Sequence, residues 1–397
     1  MVSRLETKVN ALTARGATVM DSREEMSEGS GENCDFAIAQ VCPRYFPHHG
    51  GIETVVREVS ERLARKGCNV EVLTTDPSDS LPREEVIDGV IVRRFWSCAP
   101  NDAYYFSPGL RDYLRNNSHK YDIIHAHGYH AFPALLAYRA KSETKFVFSP
   151  HYHEGGHTLF RTMLHVPYST IAKGMFDGAD QIVCVSDYER RLLERNFSIS
   201  DDRLTVVPNG VNAEEFRPKH FNKTHKTILY VGRLERYKGL EHLLQTLPRF
   251  DEKVRLEVVG QGPFMRPLMQ LAKKLNIEER VKFFGGIPRS QLLERYSEAD
   301  VFVSLSTHEA FGITIAEALS SGTPCVVARA SGLQEFIDGK NCFGIDLPID
   351  GGDLAELLGK VMLSRIRPMR FPNWDDVVNR LVEVYNAAVT VQSASGR

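Results

Sequence analysis

The chain has few cysteines, only two tryptophans and no long apolar run. Its seven cysteines include no C-x-x-C pair, which excludes the usual spacing of a zinc knuckle and argues against a disulfide framework. No apolar run approaches the roughly 18 residues that span a bilayer, and residues 1–34 lack the apolar core of a signal peptide. These absences predict a reducing, cytoplasmic setting, or a peripheral position on the cytoplasmic face of a membrane. They also predict a flexible tail over residues 1–34.

Charge and length narrow the class of protein further. The 49 basic residues nearly balance the 51 acidic ones, so the chain lacks the basic surface that nucleic-acid binding requires. A chain of 397 residues exceeds what one hydrophobic core usually supports, which predicts at least two domains.

Short apolar runs with the spacing of β-strands alternate with amphipathic segments from residue 35 onward. This alternation predicts parallel sheets covered by helices on both faces, an α/β architecture of doubly wound domains. The predicted strands are Phe36–Val41, Val70–Thr74, Val90–Phe95, Ile123–His125, Phe146–Ser149, Ile182–Val185, Ile228–Val231, Leu256–Val259, Val281–Phe284, Val301–Val303 and Cys325–Val327.

A polar stretch without periodicity, Phe216–Thr227, interrupts this alternation and is the best linker candidate. It predicts one Rossmann-like domain over residues 35–217 and a second over residues 226–372. The helical pattern of Trp374–Ala388 predicts a closing helix within residues 373–397. Ligands of such domains bind at the carboxyl ends of the strands, so the two domains would face each other across a cleft.

The segment Glu309–Glu317 carries the strongest chemical signal. It follows the apolar run Asp300–Ser304 and leads into a helical pattern that closes at Gly322, which predicts a strand, a tight turn and a helix. N–H groups at a helix start attract anions, and Gly312 lets a phosphate approach the backbone. Carboxylates on either side of that anion would bind hydroxyl groups, an arrangement that fits a nucleoside diphosphate sugar. The alternative is an ordinary helix whose first-turn acids are favoured by the helix dipole.

Three other segments fall on the cleft side of this predicted arrangement. Gly50 and Gly51 open the first helix, and they fit either a tight turn or N–H groups that face a diphosphate. Arg233 and Lys238 follow the first strand of the second half, where they fit either solvated surface charges or partners of a leaving diphosphate. Val207–Val211 fits a turn or a hinge near the cleft.

Taken together, five motifs resemble the family-4 glycosyltransferases, which are retaining, nucleotide-sugar-dependent enzymes of the GT-B fold. The resemblance runs in order from about residue 36 to residue 390. The motifs are G-G-I-E at Gly50–Glu53, V-P-N-G-V at Val207–Val211, V-G-R-L-x-x-x-K-G at Val231–Gly239, V-V-G-x-G-P at Val258–Pro263 and E-A-F-G-I-T-x-x-E at Glu309–Glu317.

The resemblance implies a role for each matching residue. Arg233 and Lys238 would hold the donor diphosphate, Glu309 would bind hydroxyls of the transferred sugar, and Glu317 would bind the ribose. The remaining donor contacts would come from the backbone at Gly50, Gly51, Phe311, Gly312 and Ile313. The closing helix would cross back onto the first domain.

The histidines near the predicted cleft leave several alternatives open. His151 follows a strand and matches the family's cleft histidine, a catalytic position, with His153 as the second choice. His127 fits either the acceptor side or the core. Alternate histidines at 125 and 127 share a strand face, but no matching carboxylate or cysteine spacing accompanies them, so no metal site is predicted. The chain also lacks the D-x-D loop that holds a metal on a diphosphate, and no cofactor is expected.

These features predict a hexosyltransferase that uses a UDP- or GDP-sugar and retains the anomeric configuration. The acceptor would be a glycan, a lipid-linked sugar or another hydroxyl compound. Residues Leu159–Lys173 fit either a peripheral membrane contact or a buried helix face. Two other functions share the architecture, a nucleotide-sugar epimerase and a non-catalytic nucleotide-sugar-binding protein.

Overall fold

The computed structural model describes residues 35–100, 103–153, 172–216 and 224–394. The predicted tail, the centre of the predicted linker and almost all of the predicted membrane contact at Leu159–Lys173 lie outside these ranges.

Within the described ranges of the first half, eight strands form one sheet in the order β3-β4-β2-β1-β5-β6-β7-β8. All neighbours are parallel except β3 and β4. The strands are β1 (Ala37–Val41), β2 (Asn69–Asp76), β3 (Glu84–Ile87), β4 (Val90–Trp96), β5 (Ile123–His127), β6 (Lys145–Ser149), β7 (Gln181–Cys184) and β8 (Leu204–Val206). The α-helices with fully described bounds are α1 (Gly51–Arg65), α2 (Pro108–Asn117), α3 (Phe132–Ala140) and α4 (Asp187–Phe197).

In the second half, six strands of the described chain form a wholly parallel sheet in the order β11-β10-β9-β12-β13-β14. They are β9 (Lys226–Val231), β10 (Val254–Val259), β11 (Val281–Gly285), β12 (Val301–Ser304), β13 (Cys325–Ala328) and β14 (Cys342–Ile345). The helices are α5 (Leu240–Thr246), α6 (Met265–Lys274), α7 (Arg289–Glu298), α8 (Ile313–Ser320), α9 (Gly351–Val361) and the closing helix α10 (Trp374–Ala394).

Each sheet is buried on both faces, as parallel sheets require. Separate apolar clusters cover the two faces of the first sheet, and two more cover the second. Helix α1 shows how the sequence produces this packing, since Val55, Val56, Val59 and Leu63 recur at helical spacing and are all buried. Two doubly wound sheets confirm the predicted α/β class.

Every strand predicted from the sequence is present, but three short strands were missed. Strand β3 is an antiparallel edge strand with two glutamates and alternating exposure, so it has no apolar run to detect. Strand β8 contains only three residues, and β14 (Cys342–Ile345) has a glycine at its third position, which weakens a strand pattern.

The closing helix α10 packs on the first sheet rather than on the second, which precedes it in the chain. Its buried residues Val377, Val378, Leu381 and Tyr385 join the apolar cluster that also contains the buried face of α1. The backbone at Gly210 lies against Trp374, so the second predicted motif contacts the start of this helix.

One expectation about the cysteines is wrong. Cys68 is disulfide-bonded, whereas the other described cysteines, Cys42, Cys98, Cys184, Cys325 and Cys342, are free thiols. Sequence spacing did not reveal this pairing, because a disulfide depends on which cysteines the fold brings together. None of the described helices is long and apolar enough to cross a bilayer.

Candidate active site

Lys238 and Glu309 form an ion pair beyond the carboxyl ends of the neighbouring strands β9 and β12. Their side chains retain only 14% and 26% of their exposure, so water screens the pair weakly. The Lys238 ammonium also lies 5.0 Å from the ring centroid of Tyr237. Burial alone would lower the pKa of Lys238, but the Glu309 carboxylate together with Tyr237 and Tyr230 outweighs burial and raises it. Lys238 is therefore a permanent positive charge in a partly dry site.

Arg233 provides a second positive charge at the end of β9. Its backbone carbonyl accepts a hydrogen bond of 3.0 Å from the buried Tyr230 hydroxyl, which orients the loop. Its guanidinium is half-exposed and lies 3.2 Å from Glu235. The charge of Arg233 also acts on Glu53 in the first half of the chain. Arg233 thus faces the gap between the two sheets.

The turn before α8 has the geometry that the sequence predicted for an anion site. Gly312 adopts φ 119° and ψ 59°, in the left-handed region that a residue with a side chain rarely occupies. A Cβ there would lie 3.0 Å from Ile315 and 3.1 Å from Leu333. No side chain caps α8. The Ile315 N–H donates to the Gly312 carbonyl, so the N–H groups of Ile313 and Thr314 are the ones of the first turn that can meet a ligand. Ile313 packs against the apolar cluster of the first sheet, which places this helix start at the junction of the two halves.

Glu317 is engaged by two partners that the sequence analysis missed. Its Oε2 accepts a 2.8 Å hydrogen bond from the buried Tyr296 hydroxyl, and its Oε1 pairs with Arg289. Arg289 also pairs with Glu215 at 2.8 Å. Arg289 and Tyr296 both lie on α7, and nothing in the spacing of that helix marked them. A ribose at this position would share Glu317 with them.

The glycine pair at the start of α1 is covered by an acidic side chain. The carboxylate of Glu53 folds back over the first turn of its own helix, so a Cβ at Gly50 would collide with it. Burial raises the pKa of Glu53, while its own N–H group and the charges of Arg44, Arg233 and His49 oppose that rise. The start of α1 therefore differs from that of α8, because a carboxylate of the protein already lies over its first turn.

His151 lies just after β6, and its contacts are with residues in the first half of the chain. Its φ of 48° is uncommon for a residue with a side chain, and such strain often marks functional positions. Its Nε2 lies 3.3 Å from Nδ1 of His127, whose Nε2 lies 2.8 Å from the Gln40 amide oxygen. Burial lowers the pKa of His151 to about 4, so the imidazole is neutral at pH 7. His127 is buried, which favours a position in the core over one on the acceptor side. It nevertheless contacts His151, the candidate cleft histidine.

His153 points in a different direction from His151, toward the second half of the chain. Its ring centroid lies 6.0 Å from that of His308, which lies 6.0 Å from the ring of Tyr237. Sequence reasoning missed His308, although its position directly before Glu309 was a usable signal. Both histidines of the 151–153 segment thus lie near the candidate site, one on each side.

Helix α4 connects the histidine segment to the Glu309 turn. Ser186, its N-cap, accepts a hydrogen bond from the Glu189 N–H at 3.1 Å and donates one to the Ala310 carbonyl at 2.6 Å. The buried Glu189 carboxylate accepts hydrogen bonds from the N–H groups of Val185 and Tyr152. Because Tyr152 follows His151 directly, Glu189 fixes the backbone next to that strained residue.

The sequence matches two family models that together span most of the chain. Residues 49–215 match the model described as Glycosyltransferase Family 4. Residues 211–373 match the model described as Glycosyl transferases group 1.

Curated relatives match the chain over most of their length. D-inositol 3-phosphate glycosyltransferase of Thermomonospora curvata is 28% identical, over 87% of this chain and 92% of that protein. The GPI3 subunit of phosphatidylinositol N-acetylglucosaminyltransferase from Saccharomyces cerevisiae is 22% identical, over 91% of this chain and 85% of that protein.

Solved structures share the architecture at lower identity. Sucrose-phosphate synthase from Thermosynechococcus elongatus superposes with a TM-score of 0.69 at 20% identity, covering 91% of this chain and 98% of that one. Anabaena HepE, solved in complex with UDP and glucose, superposes with a TM-score of 0.70 at 17% identity, covering 88% of this chain and 99% of that one. With these matches beside the fold and the motifs, the chain belongs to the family-4 glycosyltransferases, has the GT-B fold and is a glycosyltransferase.

Proposed function

We propose that this glycosyltransferase moves a hexose from a UDP- or GDP-sugar to a hydroxyl acceptor, with retention at the anomeric carbon. The observation that carries the proposal is the Lys238–Glu309 ion pair beside the start of α8. A cation, a hydroxyl-binding carboxylate and a helix start at one place match the three chemical parts of a sugar diphosphate.

The diphosphate of the donor would compete with Glu309 for Lys238. Once the phosphate contacts Lys238, Arg233 and the N–H groups at Phe311, Gly312 and Ile313, Glu309 can accept hydrogen bonds from sugar hydroxyls. The site would then stabilise the departing diphosphate mainly through charge and position. Glu317 would meet the ribose together with Arg289, and the loop at Gly50 and Gly51 would approach the transferred sugar.

Retention is what the resemblance to family-4 glycosyltransferases implies, and the carboxylates of the site argue against reaching it by a double displacement. Two successive inversions need a free carboxylate nucleophile on the face opposite the leaving group. Glu309 is paired with Lys238, Glu317 is paired with Arg289, and Glu53 is folded over its own helix start. We therefore propose attack from the same face as the leaving group. The bond from the anomeric carbon to the phosphate oxygen breaks, the acceptor oxygen bonds to that carbon, and the acceptor proton passes to the departing phosphate.

Neutral His151 and its neighbour His153 would contact the sugar or the acceptor from the opposite side of the cleft. The names of two relatives, which refer to inositol phosphate and phosphatidylinositol, make these compounds the first acceptors to test. A lipid acceptor would favour a peripheral membrane contact, one of the two alternatives that the sequence left open for Leu159–Lys173.

The test is an assay with a panel of UDP- and GDP-sugars, with and without these acceptors and short glycans. The expected result is release of nucleoside diphosphate that depends on acceptor, with a product whose anomeric proton coupling matches that of the donor. A product of inverted configuration would overturn the retaining mechanism. A changed sugar in the donor-only reaction would identify an epimerase, and binding without turnover would identify a non-catalytic protein.

A further inference from the structure

A buried chain of hydrogen bonds runs from His151 to the closing helix. His127 contacts His151 at 3.3 Å and the Gln40 amide oxygen at 2.8 Å. The Gln40 amide nitrogen then donates to the Tyr385 hydroxyl at 3.2 Å. The chain continues from Tyr385 to Nδ1 of His125 at 2.8 Å, and from Nε2 of His125 to Ser149 at 2.8 Å. Gln40, His125, His127 and Tyr385 are at most 1% exposed, so water cannot replace a missing partner.

The direction of each hydrogen bond follows from the Gln40 amide. Its oxygen can only accept, so Nε2 of His127 carries a proton. His127 is neutral, because burial lowers its pKa well below the ordinary value, and its Nδ1 must therefore accept. The proton between the two imidazoles then belongs to Nε2 of His151. Nδ1 of His151 is left with its lone pair, as an acceptor for a hydroxyl group.

The same logic applies on the other side of Gln40. Its amide nitrogen donates to the Tyr385 oxygen, so the Tyr385 hydroxyl donates to Nδ1 of His125. Nε2 of His125 then donates to Ser149. All three histidines carry the proton on Nε2, which is the form that neutral imidazole side chains prefer in water. Turning the amide of Gln40 would reverse every donor and move the His151 proton to Nδ1.

We propose that Gln40 and Tyr385 are positioning residues that, through His127, hold His151 in the Nε2-protonated form with Nδ1 facing the ligand as an acceptor. This proposal rests on the proposed function, in which His151 contacts a sugar or acceptor hydroxyl. It gives the closing helix a part in the site, because Tyr385 reaches Gln40 across 345 residues of sequence. Through Gln40, the Tyr385 hydroxyl near the carboxyl terminus thereby acts on the hydrogen-bonding role of His151.

The direct test is nitrogen NMR of the full-length protein labelled at its histidine side chains. The variant His151→Gln assigns the His151 signals by their disappearance. In the wild type, Nε2 of His151 should show the shift of a protonated nitrogen and Nδ1 that of an unprotonated one. In Tyr385→Phe and in Gln40→Met the two shifts should move toward each other, because the tautomer is no longer held.

Tyr121→Phe is the matched control. It also removes a buried tyrosine hydroxyl, one that donates at 2.6 Å to Glu71, but this hydroxyl has no contact with the histidine chain. The control should leave the His151 shifts unchanged. A proton on Nδ1 of His151 in the wild type would overturn the proposal. Wild-type His151 shifts in both Gln40→Met and Tyr385→Phe would also overturn it.

Kinetics give a second readout. Tyr385→Phe and Gln40→Met should lower kcat on the order of tenfold, as loss of an orienting partner does at other histidine sites. Donor KM should stay near its wild-type value, because neither residue approaches the phosphate-binding turn. A rise in donor KM at constant kcat would contradict a role through His151. The NMR measurement needs no substrate, so it tests this inference even if the proposed transfer reaction proves wrong.

Discussion

Individual side chains of the site are held by partners that lie far away in sequence. Lys238 pairs with Glu309, Arg289 with Glu317, and Glu189 with the backbone beside His151. These partners hold the side chains near the positions where they would act, and this lowers the entropy cost of binding a donor. The same contacts couple stability to function, because a substitution in the site also removes a structural partner.

Replacing Lys238 should weaken binding of UDP or GDP. Loss of one charge-assisted contact costs about 1.5–3 kcal/mol, which corresponds to a rise in Kd of about 10-fold to 150-fold. Isothermal titration of Lys238→Ala measures this. The matched control is Arg236→Ala, in the same 3-10 turn but with a side chain 85% exposed. Equal diphosphate affinity in the two variants would show that Lys238 does not bind the phosphate.

The titration of Glu189 should make the fold less stable as pH rises. Burial raises the pKa of Glu189 from 4.5 to about 7, although the N–H groups of Val185 and Tyr152 oppose the shift. The folded protein then binds this proton more tightly than the unfolded chain does. The contribution of Glu189 to the free energy of unfolding should therefore fall between pH 4.5 and pH 7, by up to about 1.4 kcal/mol per pH unit. The buried histidines His125, His127 and His151, whose pKa values burial lowers, contribute in the opposite direction.

Denaturant unfolding at several pH values tests this dependence. Glu189→Gln keeps the size of the side chain but cannot titrate, so the slope of its stability against pH should be more positive than that of the wild type over this range. Glu194→Gln, on the exposed side of the same helix, should keep the wild-type slope. Equal slopes for wild type and Glu189→Gln would contradict the assignment.

Among the elements, two helix starts share one capping pattern but differ in what they connect. Ser186 caps α4 and donates to the Ala310 carbonyl in the second half of the chain at 2.6 Å. Ser107 caps α2 and donates to the Trp96 carbonyl, also at 2.6 Å, within the first half. The hydroxyl of each serine accepts the N–H of the residue three positions later. At α4, therefore, the serine hydroxyl that caps the helix also connects the two halves of the chain.

Replacing each of the two serines in turn distinguishes an effect on the stability of the fold from an effect on donor binding. Ser186→Ala and Ser107→Ala should each lower the free energy of unfolding by about 0.5–2 kcal/mol, the usual cost of losing an N-cap. Only Ser186→Ala should also weaken donor binding, by about 0.5–1.5 kcal/mol, because the Glu309 turn loses the hydrogen bond to Ala310. Thermal melts and titration with nucleoside diphosphate measure the two effects. Equal loss of donor affinity in both variants would mean that the contact between halves is unimportant.

At the scale of the molecule, the site exists only where the two sheets meet. The carboxyl ends of β9 and β12 supply the charges, and the carboxyl end of β6 supplies the histidines. Helix α10 joins the second half back to the first through its contacts with α1. The backbone N–H of Tyr188 and the side chain of Arg191, both in the first half, contact Glu335 in the second. Contacts from several elements therefore join the two halves of the chain beside the candidate site.

The cations and the helix start at the candidate site predict transfer without a divalent metal. Lys238, Arg233 and the start of α8 together can neutralise the developing charge of the leaving diphosphate. Turnover should persist after exhaustive dialysis against EDTA and should not rise on addition of magnesium or manganese. Turnover that disappears on chelation and returns with either metal would contradict this mechanism.

The sequence by itself determined the alternation of strands and helices, the α/β class and the clustering of the motif residues. These follow from local patterns, because apolar spacing decides which face of an element is buried, and the carboxyl ends of parallel strands share one edge. The donor-site roles of Arg233, Lys238, Glu309 and Glu317 remain predictions. Only the tertiary structure decided the partners of these residues, the disulfide bond of Cys68 and the series of hydrogen bonds that connects His151 to Tyr385. Most of those contacts join residues from 21 to 345 positions apart, and no local pattern encodes which distant groups the packing of two sheets brings within hydrogen-bonding distance.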